Sequence, residues 1–284
     1  MGIYAVTGAA SGMGKQAADK LRAAGHTVIG VDLREAEVIA DLSTPAGRAD
    51  GAAAVLAAAG GRLDGAVLAA GLGPTPGRDR ARMIFAVNHF GVVELLEAWR
   101  TAFAAVGSAK VVVIGSNSAT VTPAMPRLAV RALLAGNARR AERLVGLFGP
   151  GGPSLAYAAS KTAVARWVRR QAVTPQWAGA GIRLNVLAPG AIMTPLLEKQ
   201  LSTPREAKAI KSFPVPVGHF GDAGQLADWM MFMLSDAAEF LCGSVVFVDG
   251  GSDAYFRADD WPRSVPVRRL GGYLKRFRSF GASR

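Results

Sequence analysis

The feature that most constrains the fold is a glycine-rich segment near the start of the chain. This segment, Thr7-Gly8-Ala9-Ala10-Ser11-Gly12-Met13-Gly14, follows the apolar run 3–7 and leads into a helical pattern from about Met13 to Ala24. Glycine lets the backbone turn tightly and approach a pyrophosphate, and the N-terminus of the following helix attracts an anion. Glycines also serve ordinary turns, so it is the strand–loop–helix context that favours dinucleotide binding.

Short apolar runs alternate with helical stretches along most of the chain. Strands are predicted at 3–7, 27–32, 38–40, 63–70, 110–115, 182–187 and 244–248, and helices at 13–24, 46–59, 78–106 (broken near Asn88) and 153–177. This alternation predicts right-handed βαβ units. We therefore expect an α/β fold of the Rossmann type, with a doubly wound, parallel, seven-stranded sheet and helices on both faces. Residues 1–256 are expected to form one dinucleotide-binding catalytic domain, followed by a tail over 257–284.

Residues 120–153 interrupt the alternation of strands and helices. The stretches 127–134 and 138–148 have helical patterns and are divided by Gly136-Asn137. We predict that this segment is an inserted helical hairpin.

The positive charge of the chain is concentrated in two segments. The chain has 33 Lys and Arg against 21 Asp and Glu, a net charge of +12. Eight basic and two acidic side chains lie in residues 257–284, and five basic and one acidic lie in 120–153. Because the remainder is close to neutral, a nucleic-acid-binding face on the folded domain is not expected.

The tail mixes its arginines with Trp261, Tyr273, Phe277 and Phe280. Three interpretations stay open at this point. The tail is a solvated, poorly ordered terminus, or it makes weak contact with an anionic membrane surface, or it folds back as a lid or dimer arm.

Composition excludes several other classes of protein. The single cysteine, Cys242, permits no internal disulfide, and the three histidines are too far apart in sequence for a zinc motif, so no metal is expected. No apolar run approaches the roughly 18 residues that suggest a membrane span. The first residues are predicted to form a core strand rather than a signal peptide, so a cytoplasmic protein is expected.

Asp32 ends the second predicted strand, where a carboxylate can accept hydrogen bonds from the ribose hydroxyls of a bound dinucleotide. A carboxylate there also repels a 2′-phosphate, so we predict NAD as the cofactor rather than NADP. Arg34 could favour NADP instead, but the glycine loop contains no basic residue that would support NADP binding.

Tyr157 and Lys161 are four residues apart on a predicted helix, so their side chains share a face. A free tyrosine has a pKa near 10. A neighbouring ammonium and an oxidised nicotinamide would both favour the phenolate, which would make this tyrosine a usable general acid or base. The four-residue spacing of a Tyr and a Lys is common by itself. It indicates a catalytic pair here because it follows a nucleotide-binding loop and a predicted parallel sheet.

These residues together resemble the short-chain dehydrogenase/reductase family over residues 3–252. Further family elements stand at the expected places: Asp41-Leu42, Ala69-Ala70-Gly71 (where an alanine replaces the usual Asn), Asn88, Ser116, Asn185, Pro189-Gly190, Ile192-Met193-Thr194 and Asp249-Gly250-Gly251.

The resemblance implies roles for individual residues. Tyr157 would exchange a proton with the substrate oxygen, Lys161 would bind the nicotinamide ribose, Ser116 would polarise the carbonyl, and Asn88 would support a proton relay. Ser118 is a rival for Ser116, which is preferred because it follows the fifth strand directly. The resemblance also implies cofactor contacts at Thr7, Gly8, Ser11, Gly12, Met13, Gly14, Asp32, Leu33, Asp41, Leu42, Ala70, Gly71, Pro189, Gly190, Ile192 and Thr194, besides Tyr157 and Lys161.

The spacing between Ser116 and Tyr157 is 41 residues, whereas the family usually separates them by about a dozen. The longer spacing is similar to that of the bacterial 3α-hydroxysteroid dehydrogenase/carbonyl reductases, which this chain also resembles in residues 30–44, 70–74 and 155–157. The resemblance implies an NAD-dependent interconversion of a lipophilic, steroid-like secondary alcohol and its ketone. It also implies a homodimer with an altered interface rather than the family's common tetramer, because the inserted hairpin lies beside the helices through which the family usually pairs.

Two alternatives to this function remain open. One is a dehydrogenase for a non-steroid hydrophobic alcohol, and the other is a non-catalytic nucleotide-sensing protein. Apolar residues after Gly190 are equally compatible with a loop that closes over a ligand and with one that packs on the sheet: Ile192, Met193, Leu196, Leu197, Leu201, Phe213 and Val215.

Overall fold

The computed structural model of the protein describes residues 1–202, 204–260 and 264–282. Trp261 and the side chain of Leu196, both named above, lie outside the described residues. No helix in the described part of the chain combines the length and the apolar character needed to cross a bilayer.

Seven of the strands in the described residues lie close to the predicted positions, and two short ones were not predicted. The strands are β1 (Ile3–Thr7), β2 (Thr27–Asp32), β3 (Val38–Ile39), β4 (Gly65–Leu68), β5 (Lys110–Ile114), β6 (Arg183–Pro189), β7 (Ile192–Met193), β8 (Gly221–Asp222) and β9 (Val245–Val248).

The helices alternate with these strands. They are α1 (Gly12–Ala23), α2 (Pro45–Ala58), α3 (Arg80–Phe85), α4 (Val92–Ala104), α5 (Ser118–Val121), α6 (Arg127–Leu134), α7 (Ala138–Gly146), α8 (Gly152–Gln171), α9 (Pro195–Leu201), α10 (Pro204–Lys211), α11 (Ala223–Leu234), α12 (Ser252–Arg257) and α13 (Leu270–Ala282).

Within the described residues, seven strands form one parallel sheet in the order β3-β2-β1-β4-β5-β6-β9. The strand order reverses between β1 and β4, and ligands bind at the carboxyl edge of such a switch point. The predicted Rossmann-type fold is confirmed. A separate two-stranded pairing of β7 with β8 was not expected, because two-residue strands leave no periodicity in the sequence.

The sheet is covered on both faces, as the nearly unbroken Val and Ile content of β5 predicts. Val111 and Val113 face one apolar cluster, which contains the fully buried Trp99. Val112 and Ile114 face a second cluster, which contains Met230 of α11. The alternation of side chains along a strand therefore places one core on each side of the sheet.

The inserted hairpin is present where it was predicted. Helices α6 and α7 pack on α3 and α8 around a third apolar cluster that includes Val130, Leu133 and Val145. The prediction that α8 continues to Trp177 is wrong, because the helix ends at Gln171. Pro175 has no backbone N–H and disfavours a helical conformation at the residue before it.

The helical stretch predicted at 78–106 is broken near Asn88 as expected. The break is a π-helical turn at Ala86–Gly91 between α3 and α4. Such turns often occur at functional sites, and this one places Asn88 and His89 in buried positions.

The described part of the tail contains a helix, α13. Every residue from 267 to 280 is exposed, so this helix does not pack as a lid on the rest of the chain in this structure.

We expect the free energy of unfolding to decrease below neutral pH because of the buried side chain of His89. Its Nε2 lies 3.1 Å from the carbonyl oxygen of Leu133, and its buried Nδ1 has no partner among the described residues. Burial lowers the pKa of His89 to about 4. Because the unfolded value is about 6.5, the unfolded chain binds more protons between pH 6.5 and pH 4. The folded state should therefore lose about 3 kcal/mol from this residue as the pH falls through that window.

The variant His89→Gln keeps a donor near Leu133 but does not titrate. Urea unfolding at a series of pH values should show a shallower loss of stability for this variant than for the parent chain. Parallel curves for the two proteins would contradict the assignment.

Candidate active site

The glycine loop crosses from β1 to α1 with the conformations that the sequence suggests. Gly8 has φ +72°, and a methyl group on it would lie 2.9 Å from the backbone nitrogen of Ala70. A methyl group on Gly14 would collide with the carbonyl oxygen of Gly8. The side chain of Ser11 makes no capping hydrogen bond to α1, so the loop brings a helix N-terminus without a side-chain cap close to the carboxyl edge of the sheet.

Asp32, at the end of β2, is held by the same loop. One carboxylate oxygen accepts from the backbone nitrogen of Ala10 at 3.0 Å, and the other accepts from that of Leu33 at 2.7 Å. An ionised carboxylate accepts about four hydrogen bonds. Two acceptor positions therefore remain for ribose hydroxyls.

A cleft of about 270 Å³ opens at the switch point between β1 and β4, and we call it the dinucleotide cleft. Most of the predicted cofactor contacts line it: Gly8, Ser11, Gly12, Met13, Gly14, Asp32, Leu33, Asp41, Leu42, Ala70, Gly71 and Thr194. Other lining residues were not predicted from the sequence, including Ser43, Leu72, Met83, Val87 and Pro195. Met83 and Val87 are four residues apart on one helical face just before Asn88, and this spacing was a usable signal.

The dinucleotide cleft has the chemistry that a nicotinamide dinucleotide needs. A tight glycine loop and a helix N-terminus suit a pyrophosphate, and Asp32 suits a ribose diol. The apolar side chains of Leu33, Leu42 and Val87 line the rest and suit aromatic rings. The residues present therefore fit the predicted cofactor.

Six predicted cofactor residues are not among those that line the dinucleotide cleft. Two of them, Tyr157 and Lys161, are described with the catalytic residues below, and the other four are Thr7, Pro189, Gly190 and Ile192. Thr7 is buried, and its hydroxyl accepts from the backbone nitrogen of Ala70 at 3.1 Å, so it joins β1 to the loop after β4. Pro189 is buried, and its carbonyl accepts from the nitrogen of Asn117 at 2.9 Å. Gly190 has no room for a side chain beside Asp249. Ile192 lines a separate apolar cavity of about 590 Å³.

Ser116 and Tyr157 are brought together at the carboxyl edge of the sheet. Ser116 follows β5 and is buried, whereas Tyr157 lies on α8 and is half-buried. The Ser116 side chain lies close enough to the phenol of Tyr157 to lower its pKa, against the effect of burial. The rival Ser118 lies beside it: its backbone nitrogen donates to Ser116 Oγ at 3.1 Å, and its own buried hydroxyl has no hydrogen-bond partner among the described residues.

Lys161 and Asn88 converge beside this pair. Lys161 is buried one helical turn after Tyr157, and its Nζ lies 5.9 Å from the centre of the Tyr157 ring. A methyl group on Gly71 would lie 3.4 Å from Asn88 Oδ1 and 3.8 Å from Lys161 Nζ. Gly71, which lines the dinucleotide cleft, therefore connects the cleft to both side chains.

Asn88 and Lys161 are each held by a backbone group of a neighbouring segment. The amide of Asn88 accepts from the nitrogen of Leu72 at 2.8 Å and donates to its carbonyl at 3.0 Å. Lys161 Nζ donates to the carbonyl oxygen of Ile114 at 2.7 Å. These bonds fix both side chains before any ligand arrives.

The pKa of Tyr157 differs from the sequence-based expectation. Burial raises it above its ordinary value of 10, and the hydrogen bond from Ser116 opposes that rise only in part. Burial also lowers the pKa of Lys161 to about 8. In the chain by itself, desolvation therefore outweighs the ammonium's attraction for a phenolate.

A buried polar pair at the same edge was not expected from the sequence. Asn117 Nδ2 donates to Asp249 Oδ2 at 3.3 Å and so links the end of β5 to the end of β9. Asn185, by contrast, lies away from the cleft, where it donates to Leu241 and accepts from Ser244. The first pair braces the segment that carries Ser116.

Comparison with known proteins points in one direction. A family profile described as Enoyl-(Acyl carrier protein) reductase matches residues 147–253. The 3-alpha-hydroxysteroid dehydrogenase/carbonyl reductase of Comamonas testosteroni is 39% identical over 90% of this chain and 98% of its own length.

Solved structures similar to this chain are also dehydrogenases. The 3-alpha-hydroxysteroid dehydrogenase from Pseudomonas sp. B-0831, complexed with NADH, superposes with a TM-score of 0.84 at 44% identity, covering 90% of this chain and 99% of that one. The aldohexose dehydrogenase of Thermoplasma acidophilum, at 22% identity and a TM-score of 0.68 over 93% of this chain and 97% of that one, shares the fold.

These similarities extend over most of the chain, and the fold and the cleft agree with them. The chain is an oxidoreductase that acts on hydroxyl and carbonyl groups with a nicotinamide cofactor, and it belongs to the short-chain dehydrogenase/reductase family.

Proposed function

We propose that this protein is an NAD-dependent dehydrogenase that interconverts a lipophilic secondary alcohol and its ketone. The observation that carries the proposal is the convergence of Ser116, Tyr157 and Lys161 beside the dinucleotide cleft. Residues 1–256 would form the single catalytic domain and residues 257–284 the tail. Its placement in the cytoplasm stays a prediction from the sequence.

In the oxidation direction, two bonds of the substrate break and a carbonyl forms. A nicotinamide ring held in the dinucleotide cleft would supply the acceptor for the hydride that leaves the carbinol carbon. Tyr157, as the phenolate, takes the hydroxyl proton, and Ser116 donates a hydrogen bond to the substrate oxygen. Lys161 would hold the nicotinamide ribose and stabilise the phenolate, and Asn88 would support the relay that returns the proton to solvent. Reduction of a ketone reverses each step.

The surroundings of Tyr157 support a lipophilic substrate. Tyr157 packs against the third apolar cluster, and Met125, Leu134, Leu144 and Leu155 pack against the same cluster. All four belong to the inserted segment or to the start of α8. The insertion therefore places apolar surface next to Tyr157, and the names of two relatives that match most of the chain favour a steroid-like compound.

A screen of secondary alcohols, steroids included, with NAD and with NADP tests this proposal through the absorbance of the reduced nicotinamide. We expect lipophilic cyclic alcohols to give a kcat/KM at least about tenfold above that of propan-2-ol, because each buried CH₂ contributes about 0.8 kcal/mol. A preference for small polar alcohols would contradict the proposal. Turnover of non-steroid cyclic alcohols alone would select the second dehydrogenase hypothesis. The family membership and the site argue against a non-catalytic nucleotide sensor.

The choice of NAD is tested by Asp32→Asn. The amide keeps an acceptor for the loop but removes the charge that would repel a 2′-phosphate and would bind the ribose hydroxyls. Because a hydrogen bond to a charged group contributes about 1.5–3 kcal/mol, the preference for NAD over NADP should fall by about 10- to 100-fold. Asp50→Asn, an exposed carboxylate on α2, is the control. An unchanged preference in D32N would contradict the assignment.

We also propose that the protein forms a homodimer through the β9 edge of the sheet. β9 is an edge strand of the seven-stranded sheet, and Trp229 and Phe232 of α11 are exposed beside the apolar cavity near it. Edge strands next to exposed apolar surface favour pairing with another chain. Light scattering should give twice the chain mass of 29.5 kDa, and Trp229→Glu should yield monomers. A monomeric parent chain would contradict this.

A further inference from the structure

The tail helix α13 has two chemically different faces. Its apolar side chains recur at intervals of three and four residues, which places them on one side of a helix: Leu270, Tyr273, Leu274, Phe277 and Phe280. Lys275, Arg276 and Arg278 lie on the remaining circumference, so basic side chains border the apolar face.

From residue 261 onward, all charged side chains of the tail are positive. Residues 261–284 contain seven basic side chains and no acidic one. No ion pair found among the described residues involves Lys275, Arg276 or Arg278. The positive charge of the helix is therefore not neutralised by the rest of the described chain.

The apolar face of α13 is open to solvent. Leu270 is 53% exposed, Tyr273 50% and Phe277 73%. Helices of about 12–15 residues are marginal in water on their own, and Gly271 and Gly272 each lower helix stability by about 1 kcal/mol relative to alanine. A helix of this composition gains most of its stability from a surface that covers its apolar face.

We propose that α13 lies on the surface of an anionic lipid bilayer and seats the enzyme there. A helix of thirteen residues is about 20 Å long, and an interfacial helix lies in the membrane plane with its apolar face about 5–10 Å into the headgroup boundary. Each Lys or Arg near an anionic surface contributes about 1 kcal/mol. An anionic bilayer thus supplies both the apolar and the negative surface that α13 lacks in the described part of the chain.

Charge distinguishes this surface from a second copy of the chain. The net charge of the chain is +12, and residues outside the tail also carry a net positive charge. A second copy therefore presents like charge to α13, and two tails that pair would bring their arginines together. The inference concerns a region remote in sequence from Ser116, Tyr157 and Lys161, so it does not depend on the proposed reaction.

Sedimentation of the full-length chain with vesicles tests the proposal. Vesicles of phosphatidylcholine containing about one third phosphatidylglycerol should retain the protein at about 0.05 M salt, and vesicles of phosphatidylcholine alone should not. The triple variant Lys275→Gln/Arg276→Gln/Arg278→Gln should bind the anionic vesicles about a hundredfold more weakly. The double variant Leu274→Ser/Phe277→Ser, which keeps every charge, should also bind at least about tenfold more weakly.

A matched triple variant in the inserted hairpin, Arg139→Gln/Arg140→Gln/Arg143→Gln, removes the same charge from exposed positions of α7 and should bind as the parent chain does. Equal losses in the hairpin and tail variants would show attraction by total charge only and would overturn the proposal. Unchanged binding in L274S/F277S, or no binding by the parent chain, would also overturn it. A change in oligomeric mass in the tail variants without vesicle binding would assign α13 to a subunit interface instead.

Discussion

Replacement of Tyr157 by phenylalanine should lower kcat by about 10²- to 10⁴-fold while NAD still binds. This range is the usual contribution of a positioned general acid or base. Phenylalanine keeps the ring in the third apolar cluster and removes the hydroxyl that the Ser116 side chain contacts. The expected loss is therefore confined to proton transfer, so fluorescence titration should give a similar Kd for NAD in parent and variant.

The matched control is Tyr255→Phe, because Tyr255 lies on α12 and is 66% exposed. This variant should retain the parent kcat. A Y157F variant that oxidises alcohols at the parent rate would contradict the proposed role of Tyr157.

Replacement of Lys161 by methionine should separate activity from stability. Methionine retains the length of the buried side chain but removes the ammonium, so kcat/KM should fall by about 100-fold. A buried ammonium whose pKa is lowered from 10.5 to about 8 costs the folded state about 3 kcal/mol at neutral pH. The variant recovers that cost and loses about 1–3 kcal/mol by leaving the Ile114 carbonyl without its donor. Its unfolding free energy at pH 7 should therefore stay within about 2 kcal/mol of the parent value.

The pH dependence of folding stability provides a second measurement on the K161M variant. The folded pKa of Lys161 lies below its unfolded value, so the unfolded chain binds more protons between pH 8 and pH 10.5. The stability of the parent chain should rise relative to K161M across that window. Lys110→Met removes the other buried lysine of this region, at the opposite end of β5, and should leave kcat/KM unchanged. A K161M variant with parent activity would contradict the assignment.

Local patterns in the sequence predicted the elements that depend on a few neighbouring residues. The glycine loop, Asp32 at the end of β2 and the four-residue spacing of Tyr157 and Lys161 each carry a mechanism that is local in sequence. The inserted hairpin was predicted for the same reason, because Gly136-Asn137 separates two helical patterns. The structure describes each of these features where it was expected.

The remaining features depend on packing between distant segments. Ile192 and Thr7 have suitable positions in sequence, but β7 and the Thr7–Ala70 bond direct them away from the lining of the dinucleotide cleft. The sequence does not indicate how far α3 and the hairpin remove Tyr157 from water. The raised pKa of its phenol in the chain alone was therefore not predicted. The π-helical turn at Ala86–Gly91 also has no periodic signature.

On helix α11, the hydrophobic pattern did not predict which large apolar side chains are buried. The run of large apolar residues from Trp229 to Met233 is typical of a core helix, and Met230 and Met233 are buried. Trp229 and Phe232 are instead partly exposed and line an apolar cavity beside β9, which is an edge strand of the sheet. Hydrophobic periodicity does not distinguish a core from an interface.

The central claim is that the phenol of Tyr157 becomes acidic enough for proton transfer when the dinucleotide occupies its cleft. The chain has four tyrosines, so the absorbance of tyrosinate can be titrated with and without NAD and compared with the same titration of Y157F. We predict one tyrosine that ionises at a lower pH when NAD is present, and no such group in Y157F. Identical titrations with and without NAD in the parent chain would contradict the account.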